Sequence, residues 1–437
     1  MIRLRSPYDR DIAALAVPAL GTLVAEPLYV LADTAIVAQI GTTELAGLAL
    51  ATTVLLTFHA VMIFLAYGTT GQVSRLFGAG DTEGAAVRSV QAIWLAVLIG
   101  LLGSTVIYLT REPLIALLNG EGAVADAALR YLSISLLGLP FMLLMLAGAG
   151  SYHGRQNTRV PLAIALGSAL LNLVVELVLV VGLGYGIGAS ALSTVIAQLV
   201  AGLAYLIGVG GWARSAGASL LPHWDSMRRL LSTGATLIVR TMFLRGTFTL
   251  STAIAASLGT AQLAGHQIGL QIWSTLALAL DAVAIAGQSI TGRWLGAGNK
   301  EGAKAAAKRM IELDVFVGVI TMVLVYFSRN ALANLLTPDP EVAAITATIL
   351  VVVALQAPLN GYVFAIDGVL IGAGDLKYLA LSLVVAGGAF AIYASVVNSL
   401  GGGIGWLWIC LSFFMATRAL FLWYRFAKDA WLVTGSE

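Results

Sequence analysis

The chain has 437 residues, of which 59% are hydrophobic and only 11% charged, and its mean hydropathy is +0.92. A soluble globule needs a polar surface, so this composition places the chain in a lipid bilayer, and the net charge of +2 gives no reason to expect nucleic acid as a partner. The single cysteine, Cys410, excludes an internal disulfide and any cysteine metal cluster.

A spanning helix needs about 20 apolar residues, because the hydrocarbon core is ~30 Å thick and a helix rises ~1.5 Å per residue. Twelve such segments follow one another, beginning near Ile12, Leu45, Val87, Ala123, Val160, Gly188, Leu230, Leu263, Met310, Val342, Tyr378 and Gly405. The basic start, with Arg3, Arg5 and Arg10, leads into an apolar run too long for a cleavable signal, so it reads as a retained first span. Punctuation such as "FGAGDTEG", "LGYGIG", "TPDPE" and "GGGIG" separates most of the segments. With both termini inside, 19 of the 24 lysines and arginines fall on one side, among them Arg75, Arg88, Arg155, Arg159, Arg418 and Arg425. That asymmetry predicts cytoplasmic termini.

The chain also repeats itself. A shift of 218 residues lays "IGTTELAGLAL" (Ile40–Leu50) on "LGTAQLAGHQI" (Leu258–Ile268) and "RLFGAGDTEGA" (Arg75–Ala85) on "RWLGAGNKEGA" (Arg293–Ala303). The same shift lays "AGSYHGRQN" (Ala149–Asn157) on "DGVLIGAGD" (Asp367–Asp375). The predicted fold is therefore all-α, with twelve transmembrane helices in two six-helix bundles related by a pseudo-twofold along the membrane normal. The expected division is an amino-terminal lobe over 1–212, a cytoplasmic loop over 213–229 and a carboxy-terminal lobe over 230–437.

Ionisable side chains cost about 2.5–3.5 kcal/mol near the bilayer centre, so those inside spans should face an aqueous cavity or one another. In span one, Glu26 and Asp33 are seven residues apart and share a face, and Pro18 and Pro27 invite a kink. In span five, Asn172 and Glu176 are four apart and stack. With Asp33 they make an oxygen-rich cluster suited to a proton or a small hard cation such as Na⁺, and span six offers the hydroxyls of Ser190, Ser193 and Thr194. In the second half, Arg240 and Arg245 lie in span seven, Asp281 in span eight and Asp367 in span ten. Asp281 reads first as an ion-pair partner of these arginines, and His266 as a hydrogen-bonded packing residue. No phosphate-binding loop, HExxH or nucleophile elbow is present in the sequence, so the energy source is an ion gradient rather than ATP, and no catalytic constellation marks an enzyme.

Taken together, "PLYVLADTAIVAQIGTTELAG", the paired loops "GQVSRLFGAGD" and "GQSITGRWLGAGN", and "DGVLIGAGD" resemble the multidrug and toxic compound extrusion family, in its prokaryotic DinF-like branch. The resemblance covers nearly the whole chain. It implies a V-shaped pair of bundles in the bacterial or archaeal plasma membrane, acting as a monomer that exports amphipathic or cationic organic molecules in exchange for H⁺ or Na⁺. No organic cofactor or resident metal is implied. It places the coupling cation, H⁺ or Na⁺, on Asp33, Asn172, Glu176 and Thr194, and bending of span one at Pro18. Where some relatives carry a Glu in span seven, this chain has Arg240 and Arg245, which shifts the expected substrate toward anionic or zwitterionic molecules. The alternative within transport is a flippase or exporter of a lipid-linked or amphipathic metabolite.

Overall fold

The computed structural model describes residues 6–435, so Arg3 and Arg5 lie outside the described residues. Helices follow one another in the order α1 (Asp9–Val37), α2 (Thr42–Met62), α3 (Phe64–Gly78), α4 (Thr82–Leu117), α5 (Gly122–Ser135), α6 (Leu139–Gly154) and α7 (Arg159–Glu176). A π-helical stretch, Leu177–Gly182, prolongs α7. Then come α8 (Ile187–Ser215), α9 (Trp224–Ser257), α10 (Thr260–Gly296), α11 (Lys300–Leu336), α12 (Pro340–Gly372), α13 (Leu376–Ser399) and α14 (Ile404–Ala427). No strand occurs among the described residues.

Each of the twelve expected span starts falls inside a helix. Among the described residues, ten helical segments are long and apolar enough to cross a bilayer, and α5 with α6, bent by 53°, makes an eleventh if the pair is one span. The remaining element, α9, has 34 residues, but Arg240 and Arg245 and its many hydroxyls dilute its apolar stretch. By position it stands where the seventh span is expected from the sequence.

The repeat is written into the helix ends. Thr42 opens α2 and Thr260 opens α10; Gly78 closes α3 and Gly296 closes α10. Both pairs are 218 residues apart, so α2 and α3 together are one span, interrupted at Ile63 where α10 runs through. Likewise the bent α5–α6 pair matches the continuous α12, from Gly122 and Pro340 to Gly154 and Gly372. The "GAGD" and "GAGN" loops share one mechanism. Gly80 and Gly298 turn the chain at φ 79° and 75°, where a side chain would be strained. Asp81 and Asn299 then cap α4 and α11, accepting from the Gly84 and Gly302 amides at 2.8 and 2.7 Å. Asn299→Ala should lower stability by about 1 kcal/mol, seen as a lower thermal unfolding midpoint of the solubilised protein, while Asn299→Asp keeps the acceptor and should leave it unchanged.

By internal packing the chain forms two compact units. One holds Gly21–Gly234; the other holds the residues up to Leu20 together with those from Ala235 onward. The division therefore falls inside α1 and inside α9 rather than in the loop expected over 213–229, of which only 216–223 lies between α8 and α9, because the leading turns of each helix find their partners elsewhere. At the start of α1, Asp9 makes a paired contact with Arg309 of α11, at 2.6 and 3.0 Å, and the Tyr8 ring meets Trp294 edge-on. At the start of α9, Leu230 packs beside Gly68, Gly234 faces the Phe64 ring, and Gln72 Nε2 donates to Thr233 Oγ1 at 3.4 Å.

In the second unit, α12 packs closely on α10 and α11. Gly361 and Gly368 lie on one face of α12, where a Cβ would collide with the carbonyls of Asp314 and Ala284 respectively. Small residues of this kind let backbones approach where lipid supplies no hydrophobic drive.

Candidate ion-binding site

Asp33 lies on α1 within the Gly21–Gly234 unit and is 4% exposed. Ser190 Oγ of α8 donates to its Oδ1 at 2.8 Å. The Glu176 carboxyl, at the junction of α7 with the π-helical stretch and 0% exposed, stands against that of Asp33. Irregular turns of this type recur at functional sites because they re-aim a side chain out of the regular helical register.

A layer of neutral groups surrounds the two acids. Asn172, one turn before Glu176, donates its Nδ2 to Ser193 Oγ at 3.3 Å and to Thr194 Oγ1 at 3.2 Å. Ser193 Oγ in turn donates to the Ser190 carbonyl at 2.6 Å, and the Tyr29 hydroxyl meets Thr194 Oγ1 at 3.3 Å. Tyr131 of α5, 2% exposed, reaches toward the same threonine. The donors of this layer are thus spent on one another and on Asp33. Both Glu176 oxygens are buried, with the Asp33 carboxyl and the Ser190 hydroxyl as their neighbours, and the Ser190 hydroxyl donates to Asp33; among the described residues no basic side chain pairs with either acid.

Two buried carboxyl groups without a cation are costly, since a desolvated charge needs a partner. The arrangement is stable when a proton bridges the acids or a small cation sits among their oxygens. Asp33, Asn172, Glu176 and Thr194 thus come together, with Ser190 and Ser193. Tyr29 and Tyr131 complete the set. Tyr29 precedes Asp33 by one helical turn and could have been found from that spacing; Tyr131 lies on a separate helix and carries no such signal.

The other candidates are placed differently. Glu26 and Pro27 are exposed, and α1 runs unbroken through Pro18 and Pro27. In the other unit, Asp367 Oδ2 accepts from Arg240 at 2.8 Å and also from Arg418 of α14. Arg418, counted in the sequence among the cytoplasmic basic residues, is 2% exposed and buried within the bundle, paired with Asp367. Asp281 feels the charges of both Arg240 and Asp367, whereas Arg245 is exposed. His266 is fully buried, with Nε2 close to the hydroxyls of Ser251 and Thr252, its ring edge-on to Trp408 and its Nδ1 buried without a hydrogen bond.

A family model described as MatE matches residues 18–178 and again 237–396, once in each repeat. Protein DETOXIFICATION 44, chloroplastic, of Arabidopsis thaliana is 28% identical over 93% of this chain and 80% of its own length. DNA damage-inducible protein F of Escherichia coli is 27% identical over 95% and 91%. Among solved structures, a MOP superfamily transporter from Pyrococcus furiosus superposes with a TM-score of 0.89 at 18% identity, covering 98% of this chain and 97% of that one. The Vibrio cholerae MATE transporter VcmN in its bent form gives 0.88 at 21% identity, covering 96% of each. These structural likenesses are likenesses of fold.

Proposed function

The chain belongs to the MatE family of multidrug and toxic compound efflux transporters, and on that premise we propose that it is an ion-driven antiporter whose coupling ion binds at Asp33 and Glu176. It is a multi-pass membrane transporter and not an enzyme. The exported molecules are small, organic, and amphipathic or cationic, because Asp367 offsets the Arg240 charge and Arg245 is exposed, which removes the shift toward anions expected from the two arginines. The coupling ion is H⁺ or Na⁺, and the setting is a bacterial or archaeal plasma membrane with both termini in the cytoplasm. The protein works as a monomer.

One observation carries the reading: two buried carboxyls in contact, with donors spent and no base beside them. Such a pair has two states: occupied, with a single net negative charge shared between the acids, or vacant and doubly charged, which is costly unless water reaches the site. Occupation removes repulsion between α1 and α7, and α1 repacks, with Pro18 as its weak point because proline withdraws a helix hydrogen bond. The two states of α1 are coupled to alternating access of the substrate cavity. Because linkage is reciprocal, an ion that weakens substrate binding is itself released when substrate binds.

A flippase for a lipid-linked metabolite would favour a strongly cationic cavity. Arg240 is offset by Asp367, which leaves less positive charge than that reading needs. The experiment is transport by the full chain in proteoliposomes, with a pH gradient and a Na⁺ gradient imposed separately. Efflux of a fluorescent organic cation should follow one of the two gradients. Efflux that ignores both would refute ion coupling.

A further inference from the structure

Gln91 of α4 and Arg309 of α11 are repeat partners, 218 residues apart, and the Asp33 cluster uses neither. Each grips the segment that opens a long helix. Gln91 is 0% exposed; its Nε2 donates to the Leu221 carbonyl at 3.0 Å and its Oε1 accepts from the His223 amide at 2.7 Å. It thereby holds the chain just before α9 begins at Trp224. Trp94 Nε1 adds a bond to the Leu220 carbonyl at 2.9 Å. Arg309 takes the corresponding hold on α1. Its Nε and Nη2 donate to the two carboxylate oxygens of Asp9, the first residue of that helix, at 2.6 and 3.0 Å. Its Nη1 donates to Glu312, the repeat partner of Trp94, at 2.8 Å. One position of the duplicated chain thus has the same task in both copies, once with neutral groups and once with charges.

The hold on α1 is the stiffer of the two. A two-pronged guanidinium–carboxylate contact fixes orientation as well as distance. Close by, Asp11 meets Arg293 of α10 at 3.3 Å, and Ile12, Leu15 and Ala19 are buried. From this root α1 continues as one helix to Val37, and Asp33 lies roughly 36 Å along it from Asp9. The root belongs to the same compact unit as Arg309, and Asp33 belongs to the other. A repacking of α1 at Asp33 is delivered to the unit of Arg309 only while the root is held. With the hold released, α1 shifts as a whole and the displacement is lost.

Resting on the reading of Asp33 and Glu176 as the coupling site, we propose that Arg309 is a positioning residue for coupled transport. Through Asp9 it anchors the root of α1 to α11, so that ion occupancy at Asp33 acts on the unit to which α11 belongs.

Asp9→Ala releases the hold at little cost to folding, because the Asp9 side chain is 32% exposed and Arg309 keeps Glu312. Arg309→Met releases it from the other side and carries the test if Asp9→Ala fails to insert. In the reconstituted full chain, uptake of H⁺ and of Na⁺ is measured without substrate. Affinity for a fluorescent organic cation is then measured with the ion site filled and empty. The parent's ratio of the two affinities should lie in the range of roughly 5–150-fold usual for coupled sites. In Asp9→Ala and Arg309→Met it should fall to about one while ion uptake persists. Asp9→Glu keeps the ion pair and should restore the parent's ratio. Asn299→Ala loosens the start of α11 without touching Arg309, and should lower the thermal midpoint yet keep the ratio. A parent-like ratio in Asp9→Ala, loss of ion uptake with it, or an equal fall in Asn299→Ala overturns the assignment. Asp33→Asn separates the two levels. If it loses the ratio while Asp9→Ala keeps it, the anchor alone is refuted; if it too keeps the ratio, the coupling site itself is misassigned.

Discussion

Asp33→Asn should fold, insert and still bind substrate, yet lose ion-coupled export. The amide is isosteric and can accept from Ser190 as the carboxylate does, so the local packing of α1 on α8 survives. What disappears is the acid carried by α1 itself, so an ion taken up by Glu176 alone no longer acts on that helix. Couplings between sites in proteins usually amount to roughly 5–150-fold in affinity. In the parent chain, occupation of the ion site should therefore change substrate affinity by about that factor, and in Asp33→Asn the ratio should fall to about one. Substrate binding measured across pH and Na⁺ concentration, together with ion release on adding substrate, reads both sides of the linkage. Glu176→Gln leaves one exchangeable acid and should weaken apparent ion affinity rather than erase the coupling. An Asp33→Asn protein with the parent's efflux rate and ion dependence would remove Asp33 from the coupling role.

The largest stability effect should come from Asp367→Leu. Asp367 is the shared acceptor of two arginines, and the side chains of Asp367, Arg240 and Arg418 are 8%, 11% and 3% exposed. Removing one partner of a buried ion pair typically costs about 3–5 kcal/mol, because the remaining charge is stranded. Here Arg418 would be left facing Met415 Sδ and the Phe414 ring. The solubilised variant should unfold at a markedly lower temperature. Replacing Asp367, Arg240 and Arg418 together by apolar residues of similar volume should recover much of the loss, since the cost lies in the unpaired charge and not in the missing contact. A single variant as stable as the parent would show that water, not Asp367, solvates the arginines.

The apolar segments, the 218-residue repeat and the Asp33 cluster were all legible in the sequence, for physical reasons. Hydrocarbon thickness sets a segment length, and helical geometry puts Asn172 on the face of Glu176. Other features were not. Asp314 was overlooked because α11 begins at Lys300, ten residues before its apolar run, so the acid seemed to lie at a span's edge when it lies within it. Arg418 was assigned to the cytoplasm by the same rule that places most basic residues, and only the three-dimensional approach of α12 to α14 reveals its partner. Tyr131 joins the site through tertiary packing that no local spacing encodes.

The division of α1 at Leu20 and of α9 at Gly234 bears on how such a chain came to exist. Each repeat gives its leading segment to the other compact body: Ile12, Leu15 and Ala19 are buried, as are Met227 and Leu230, yet each group serves the bundle of the opposite repeat. That is the connectivity of a domain-swapped homodimer whose two copies have been fused into one polypeptide. A single repeat expressed alone would display an unfilled groove and a protruding arm that fits it, so it should assemble in pairs. A chain severed between Ala216 and His223, the stretch that joins α8 to α9, should be rescued by co-expressing both pieces, because each carries the segment that completes its counterpart.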